Sequence, residues 1–315
     1  MKNKIAIVIA YFGKLPEYNE LFIRSCFDQS FDLLFFTDQK LDSKKNIKVY
    51  QMSFSDFKAI IQKKFEFPVK LNKPFKFVDF RPAIGYIFED YLEGYDFWGH
   101  CDNDQIFGKF SHFITDEILN SYDKLYQNGH LTLYRNSYNN NRIFFKNEGM
   151  NYKEAFTKDY NFVFDEIEGI QKKYELLGIP TYQKNNFFDL SFKYYSLKRV
   201  YKGSDLKSIN SEYQVFYYEN GCIYRVFINS NDDIEVEEGL YLHFQKRKPK
   251  IEIEDSKKGY FILPDSIRTK NYFGLPSKED IKKYSQKNIL KEISTKLHFQ
   301  KFIWNRRINK YVFKK

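Results

Sequence analysis

The stretch that decides the fold runs from residue 95 to residue 108 and reads YDFWGHCDNDQIFG. Its first half is an aromatic, apolar run typical of a buried strand, and it leads directly into Asp102, Asn103 and Asp104. Residues two apart in an extended strand point to the same side, so the carboxylates of Asp102 and Asp104 leave the strand together. Two such oxygen ligands suit Mg²⁺ or Mn²⁺, which can bridge phosphate oxygens. The alternative for this tripeptide is a solvated acidic turn.

Strand and helix patterns alternate on both sides of this stretch. Strands are predicted at residues 5–10, 31–36, 46–52, 95–100, 130–145 with a polar interruption at 136–141, 213–218, 223–228 and 240–244. Helices are predicted at residues 18–26, 55–64, 81–91, 165–177 and from about 282 onward. This order predicts an α/β fold with parallel strand pairing and ligand-binding loops at the carboxyl ends of the strands. The polar run at 136–141 either faces an acceptor or is an ordinary loop.

Composition favours a well-packed protein of a reducing compartment. Hydrophobic residues make up 43% and aromatic residues 20% of the chain, which argues for packed sheets and against disorder. Cys26, Cys101 and Cys222 lie far apart and form no zinc or redox motif. The apolar run after the basic N-terminus is too short for a signal peptide, and no apolar stretch is long enough to span a bilayer. We therefore expect a cytoplasmic protein.

The positive charge is concentrated at the C-terminus. Residues 282–315 hold eleven of the 51 basic residues and one of the 41 acidic residues, so the rest of the chain carries 40 of each. A neutral main body argues against binding to nucleic acid through a basic face, although a nucleic-acid-binding tail remains the alternative from another functional class. Any role of the positive charge is therefore expected to belong to this C-terminal segment.

The basic segment also has the spacing of an amphipathic helix. Its apolar residues recur at intervals of three, four or seven and form one stripe, interrupted by Gln300: Ile289, Ile293, Leu297, Trp304, Ile308 and Tyr311. Lysines and arginines flank the stripe: Lys287, Lys291, Lys296, Lys301, Arg306 and Lys310. The pattern predicts a helix that docks on an anionic membrane surface. The alternative is that the stripe packs on the main body and the cations face water.

His243 is a second candidate metal ligand. It alternates in a strand pattern with Leu242 and Phe244 and precedes a basic run that begins at Lys246. An imidazole could complete a metal shell, and the cations could neutralise a diphosphate. The alternative is a histidine at a strand edge beside a solvated charge run.

Several of these stretches together resemble a known family. Residues 7–16, 35–38 and above all 76–83 (KFVDFRPA) and 95–108 are similar to a bacterial family of GT-A-type glycosyltransferase-like proteins found in surface-polysaccharide gene sets. Residues 242–246 (LHFQK) resemble that family's C-terminal His-x-Gln-Lys element. The resemblance covers about residues 5–250. It implies a GT-A-like catalytic domain, which we place at 1–265. The resemblance leaves the tail out, and 266–315 is predicted to be a basic C-terminal helical extension from its charge and spacing.

The resemblance also implies a nucleotide-sugar donor, with a UDP-sugar favoured. The residues implied around the nucleotide and its diphosphate are Tyr11, Phe12, Thr37, Asp38, Arg81, Asn103 and Lys246. Those implied around Mn²⁺ or Mg²⁺ are Asp102, Asp104 and His243. Arg81 would contact the diphosphate or the sugar, and its alternative is a structural pair with Asp79. Asn103 departs from the family, which usually has an apolar residue there.

Asp165 and Glu166 are the candidate catalytic acids. In GT-A enzymes, an acid at the start of such a helix contacts the donor sugar or acts as general base on the acceptor. The alternative is that the helix dipole alone favours acids in a first turn. The implied acceptor is a saccharide or lipid-linked hydroxyl in capsule or lipopolysaccharide synthesis, at the cytoplasmic face of the inner membrane. A sugar nucleotidyltransferase is the rival enzyme, but the first strand lacks its glycine-rich, lysine-bearing loop.

Overall fold

The computed structural model describes residues 1–201, 206–254 and 259–312. The chain divides into two units, each assembled from separate segments. Unit 1 comprises Met1–Pro16, Cys26–Asn103 and Ser111–Lys184. Unit 2 comprises Glu17–Ser25, Asp104–Phe110 and Asn185–Lys315.

Strands occur in both units. In chain order they are β1 (Ile5–Tyr11), β2 (Asp32–Thr37), β3 (Ile47–Gln51), β4 (Phe97–Cys101), β5 (Gln105–Phe107), β6 (Lys124–Asn128), β7 (Leu131–Arg135), β8 (Thr181–Tyr182), β9 (Phe188–Asp189), β10 (Gln214–Glu219), β11 (Cys222–Ile228), β12 (Ile234–Gly239), β13 (Tyr241–His243), β14 (Lys250–Glu252), β15 (Tyr260–Ile262) and β16 (Ser266–Thr269). The predicted strands at 5–10, 31–36, 46–52, 95–100, 213–218, 223–228 and 240–244 are confirmed to within two residues.

The helices are mostly short. The α-helices are α1 (Asn19–Ser25), α2 (Phe54–Gln62), α3 (Ile84–Ile87), α4 (Asp116–Ser121), α5 (Tyr152–Thr157), α6 (Lys172–Leu176), α7 (Leu206–Ile209), α8 (Lys278–Tyr284) and α9 (Ile289–Val312). Four segments are 3-10 helical, namely Pro74–Ala83, Glu89–Leu92, Phe110–His112 and Asn140–Phe145, and Ile167–Gln171 is a π-helical turn. None of the helices that the structure describes is both long and apolar enough to cross a membrane.

Unit 1 is built on a seven-stranded mixed sheet in the order β3-β2-β1-β4-β7-β6-β8. The strands β3, β2, β1 and β4 are mutually parallel, and β7 is antiparallel to β4 and to β6. Strands β2 and β3 follow β1 on one side, whereas β4 lies on its other side, so the strand order reverses between β1 and β4. Loops that follow strands at such a reversal form the ligand crevice of open α/β sheets. The predicted α/β class and parallel pairing are confirmed.

One face of this sheet packs against an aromatic core. Alternate residues of β1 and β2, including Val8 and Phe36, point into it together with Phe57 of α2 and Phe88. The rings of Phe36 and Phe88 have centroids 5.0 Å apart, and those of Phe36 and Phe57 lie 5.7 Å apart. Much of the chain's high aromatic content is thus buried in unit 1, as aromatic packing predicts.

Two predicted elements of unit 1 differ in the structure. The helix predicted at 81–91 is a 3-10 segment from Pro74, then α3, then a second 3-10 turn, because Pro82 lacks an N–H and disfavours α-helical backbone before it. The second half of the region 130–145 is 3-10 helix and not strand. Its polar run has an internal role: the Oδ1 atom of Asn141 accepts from Trp98 Nε1 at 2.7 Å, and that of Asn140 accepts from the Tyr174 hydroxyl at 2.7 Å.

Unit 2 contains a six-stranded sheet in the order β12-β11-β10-β15-β16-β14 and a three-stranded sheet in the order β5-β13-β9. The strands predicted at 213–218 and 223–228 pair as an antiparallel hairpin, and its tight turn has positive φ angles at Asn220 (53°) and Gly221 (81°). Ser266, where the C-terminal extension was expected to begin, is the first residue of β16 within the larger sheet. The helix predicted from about 282 is two helices, because residues 285–288 separate α8 from α9.

Candidate active site

The loops after β1 and β2 meet at the carboxyl edge of the parallel strands in unit 1. Strand register places Tyr11 opposite Thr37 at this edge. Both carboxylate oxygens of Asp38 accept a hydrogen bond from the Gly13 N–H, at 2.9 and 3.1 Å. Bonds from Gln39 and from Gly13 lower the pKa of Asp38. Gly13 has a φ of 99°, which only glycine adopts readily. The hydrogen bonds between Gly13 and Asp38 fix the loop after β1 in this conformation.

The two aromatic residues predicted to contact the nucleotide have different surroundings. Phe12 packs on Phe54 and Phe57, with ring centroids 5.3 and 5.1 Å apart, so it belongs to the edge of the core. Tyr11 is half-buried, and its hydroxyl donates to the carbonyl of Lys14 at 3.3 Å. Tyr11 is therefore the better placed of the two to meet a ligand at the carboxyl edge of unit 1.

Arg81 joins two acids that are far apart in the sequence. Its Nη2 donates to Asp102 Oδ1 at 2.6 Å, and its Nη1 donates to Asp165 Oδ2 at 2.9 Å and to the Gly129 carbonyl at 3.0 Å. Burial alone would lower the pKa of Arg81, but the charges of Asp102 and Asp165 outweigh it and raise the pKa above the ordinary value. The alternative in which Arg81 pairs with Asp79 is wrong. The guanidinium stays charged and fixes both carboxylates.

Asp79 instead holds the backbone that leads to Asp165. It is fully buried, and Lys76 Nζ donates to its Oδ2 at 2.6 Å. Its oxygens also accept from the N–H groups of Phe162, at 3.0 and 3.1 Å, and of Phe164, at 3.0 Å. One 3-10 segment thus carries two anchors: Asp79 positions the chain before Asp165, and Arg81 binds the Asp165 carboxylate itself.

Asp165 and Glu166 have contrasting environments. Asp165 is 2% exposed, and its Oδ1 has no hydrogen-bond partner among the residues that the structure describes. Burial raises the pKa of Asp165 to about 7, although Arg81 opposes the shift. Glu166 is exposed. Both acids immediately precede the π-helical turn, and Glu166 is its N-cap residue, so the predicted helix start at 165 is displaced by two residues.

The reason for that displacement is a distorted backbone. Val163 has a left-handed φ of 59°, and Gly169 has non-helical angles inside the π-helical turn. A Cβ at Gly169 would lie 2.2 Å from the Phe164 carbonyl oxygen, so only glycine fits there. Regular α-helix begins at Lys172, after the two acids. The distortion leaves the acids in irregular backbone at the end of the Asp79-anchored segment.

In unit 2, His243 lies between two carboxylates. Strand β13 pairs with β5 and with β9, and this register sets Asp189 beside His243. His243 Nδ1 is 2.8 Å from Asp189 Oδ1, and Nε2 is 3.2 Å from Asp104 Oδ1. Gln245 Nε2 also donates to Asp189 Oδ1, at 2.9 Å. The Phe244 N–H donates to the Asp104 carbonyl at 2.8 Å and fixes the backbone at this acid.

The charge state of His243 follows from these neighbours. Its side chain is 9% exposed, and such burial by itself lowers the pKa of an imidazole. Hydrogen bonds to Asp104 and Asp189 outweigh burial and raise the pKa of His243 to about 10. In the protein alone, a proton on the ring therefore balances the two carboxylates. Nδ1 is fixed by Asp189, so Nε2 is the ring nitrogen directed at Asp104.

The basic run after His243 has mixed roles. Lys246 Nζ lies 3.4 Å from the ring centroid of Phe302 and 5.0 Å from that of Phe192. Arg247 donates to the carbonyls of Ser191, Tyr194, Tyr195 and Ser196. It therefore holds a turn of unit 2 and is not available to bind a phosphate. Lys246 remains the residue of this run that is predicted to bind the diphosphate.

The predicted ligands fall on both sides of the division between the units. Asp102 and Asn103 are the last residues of a segment of unit 1, and Asp104 begins the next segment of unit 2. The structure brings Arg81, Asp102 and Asp165 together in unit 1. It brings Asp104 and His243 together in unit 2.

Sequence reasoning missed Asp189, and it placed Gln245 in the His-x-Gln-Lys element without giving it a role. Asp189 ends a short apolar run, Phe187-Phe188, much as Asp38 follows Phe35-Phe36-Thr37. An acid directly after a short apolar run could thus have marked Asp189 as a site residue. However, the strand that ends at Asp189 has only two residues, which is too short to predict from periodicity. Gln245 lies two residues after His243, so in an extended strand both side chains point to the same side, and this spacing was the signal that they are neighbours.

Comparison with protein families places the chain in one of them. Residues 7–271 match a family of unknown function, DUF6625, and the chain belongs to that family. No curated protein matches the chain. The match spans both units and includes Arg81, Asp102, Asp104, Asp165, Asp189 and His243.

Proposed function

We propose that this protein is a metal-dependent glycosyltransferase of GT-A type, which moves a sugar from a nucleotide-diphosphate sugar to a hydroxyl of a saccharide or lipid-linked acceptor. A UDP-sugar is the favoured donor. The acceptor belongs to surface-polysaccharide synthesis, of capsule or lipopolysaccharide. The reversal of strand order between β1 and β4 supports a nucleotide site in unit 1, because it leaves the loops after Tyr11 and Cys101 at a ligand crevice.

The arrangement of His243 carries the metal part of the proposal. A metal-ligating histidine characteristically uses its other ring nitrogen to bind a carboxylate, which fixes the tautomer and the ring orientation. His243 has this arrangement, with Asp189 at Nδ1 and the acid Asp104 at Nε2. A hydrogen bond from Gln245 holds Asp189 in turn. A solvated strand-edge histidine would need no such support.

The donor set fits a divalent cation. Asp104 and His243 would hold it, and Asp102, two residues before Asp104, would supply a further carboxylate. One imidazole nitrogen with carboxylate oxygens suits Mn²⁺, and Mg²⁺ is the alternative. Bound there, the cation would neutralise charge on the departing diphosphate. The pKa of His243 means that the cation must displace the ring proton to bind.

The remaining residues then have separate roles. Arg81 binds Asp102 and Asp165 in unit 1, and we assign it to the donor diphosphate or sugar. Asp165 is almost fully buried against Arg81, so we assign it as a positioning residue. Glu166 is exposed, so it is the candidate that can reach an acceptor hydroxyl as general base. Tyr11 and Thr37 with Asp38 lie at the edge expected to receive the nucleotide.

Ligand-induced stabilisation tests the binding step. UDP-sugars with Mn²⁺ should raise the melting temperature of the wild-type protein, because a ligand that binds only the folded state stabilises it. EDTA, or the substitution Asp104→Ala, should remove the shift. Asp42→Ala is the matched control, because Asp42 is an exposed acid of unit 1 outside the site. The proposal fails if no nucleotide-sugar produces a metal-dependent shift, or if Asp104→Ala responds like the control.

A further inference from the structure

The long helix α9 has one face that packs on unit 2. Glu292 Oε2 accepts from the backbone N–H groups of Tyr195 and Ser196 at 3.0 and 3.2 Å. Further along the helix, the rings of Phe299 and Phe302 lie 5.3 and 5.5 Å from that of Phe192. These contacts recur seven and ten residues apart, so they define one side of the helix.

A different face of α9 is apolar and exposed. Its residues are Ile289, Leu290, Ile293, Leu297 and Trp304, with exposed fractions of 71%, 81%, 52%, 66% and 65%. At 3.6 residues per turn they fall within an arc of about 100° that points away from the packed face. We call these five residues the exposed stripe. The exposure of Leu297 and Trp304 shows that the alternative, in which the predicted stripe packs on the main body, is wrong for these two residues, whereas Ile289 and Ile293 also line a cavity with Leu197 and Gln214. The side chains of Ile308, Tyr311, Arg306 and Lys310 lie outside the described part.

On α9 itself, the charged residues that border the exposed stripe are lysines. Lys296 borders it on one side and Lys301 on the other, by the same helical spacing. Both lysines are exposed. The only acid in the sequence of α9 is Glu292, which is engaged on the packed face. An apolar strip between two cationic borders complements a surface that is anionic at its headgroups and apolar beneath them.

We propose that the exposed stripe of α9 docks the protein on an anionic lipid bilayer, with the helix lying in the plane of the interface. The helix is about 36 Å long, so its axis fits along the surface. Leu297 and Trp304 enter the boundary between headgroups and acyl chains, where the indole ring of tryptophan is favoured. Lys296 and Lys301 meet lipid phosphates. This inference stands on α9 alone and does not depend on the proposed transfer reaction.

Vesicle co-sedimentation with the full chain tests the proposal. The wild-type protein should bind vesicles made of equal parts phosphatidylglycerol and phosphatidylcholine at low salt. It should not bind vesicles of phosphatidylcholine alone, and added salt should release it. The double variant Leu297→Ala with Trp304→Ala should bind at least tenfold more weakly, because it removes apolar surface from the interface. Each of Lys296→Gln and Lys301→Gln should weaken binding about fivefold.

His298→Ala with Asn305→Ala is the matched control. It also places two alanines on exposed positions of α9, but outside the stripe, and it should bind like the wild type. Circular dichroism should show equal helix content in both double variants. The proposal is overturned if the wild type stays in the supernatant with phosphatidylglycerol vesicles, or if the two double variants bind alike. A stripe-dependent dimer without vesicle binding would identify a second copy of the chain as the occupant and would also overturn it.

Discussion

Replacing Asp79 by asparagine should destabilise unit 1 far more than an exposed substitution of the same kind. Asp79 is fully buried, it balances the charge of Lys76, and it accepts hydrogen bonds from the N–H groups of Phe162 and Phe164. Asparagine keeps the shape but removes the charge and turns one acceptor into a donor that faces those N–H groups.

The magnitude follows from the partner that is left behind. The Lys76 side chain is 4% exposed, so Asp79→Asn leaves a buried ammonium without its counter-charge. Breaking one partner of such a pair costs about 3–5 kcal/mol of unfolding free energy. With a urea dependence of roughly 2–3 kcal/mol per molar, the midpoint should fall by about 1–2.5 M. Adding Lys76→Met should recover part of the loss, because the unpaired charge is then gone.

Tryptophan fluorescence measures this effect in unit 1. The chain has two tryptophans, and Trp98 is buried in unit 1 whereas Trp304 is in α9. In a Trp304→Phe background, the fluorescence therefore reports unit 1 alone. Asp28→Asn is the control, because its pair with Lys45 is largely exposed and should contribute less than about 1 kcal/mol. If Asp79→Asn lowered the free energy of unfolding as little as the control does, the reasoning would be refuted.

Two further predictions concern single residues in each unit. Asp189→Ala should weaken Mn²⁺ binding about 10–100-fold with the fold unchanged, because His243 loses the partner that orients it. If Mn²⁺ electron paramagnetic resonance showed the same Mn²⁺ affinity for this variant and the wild type, the proposed metal site would be contradicted. Lys124→Met should change how stability depends on pH, since burial lowers the pKa of Lys124 from 10.5 to about 7. Between pH 7 and pH 10 Lys124 is protonated in the unfolded chain but neutral in the folded protein, so the unfolded chain binds more protons. The free energy of unfolding of the wild type, relative to that of Lys124→Met, should therefore rise from pH 7 to pH 10. Equal pH profiles of the two proteins in urea titrations would contradict a lowered pKa of the buried Lys124.

Strands β1, β2 and β4 of unit 1 could be predicted from the sequence because they are largely buried on both faces and read as apolar runs. The hairpin at Asn220 and Gly221 could be predicted because those residues tolerate the positive φ that the turn requires. Local rules sufficed wherever the deciding interactions were local.

The site could be predicted only in part, because its contacts join residues distant in sequence. Arg81 was identified, but its partners Asp102 and Asp165 lie 21 and 84 residues away, and the nearer Asp79 was the apparent partner. Asp189 was missed because only strand register brings it to His243, 54 residues later. Likewise the spacing of α9 predicted its stripe, but only packing decides which face stays exposed.

Release of the nucleotide diphosphate from a panel of UDP-sugars tests the central claim most directly. The wild-type protein should turn over at least one donor with Mn²⁺ and none with EDTA, because the cation stabilises charge on the leaving group. Asp104→Ala and His243→Ala should each reduce turnover at least a hundredfold, or by about 3 kcal/mol in activation free energy, while Asp42→Ala keeps it. Turnover that survives EDTA, or an Asp104→Ala variant as active as Asp42→Ala, would contradict the account.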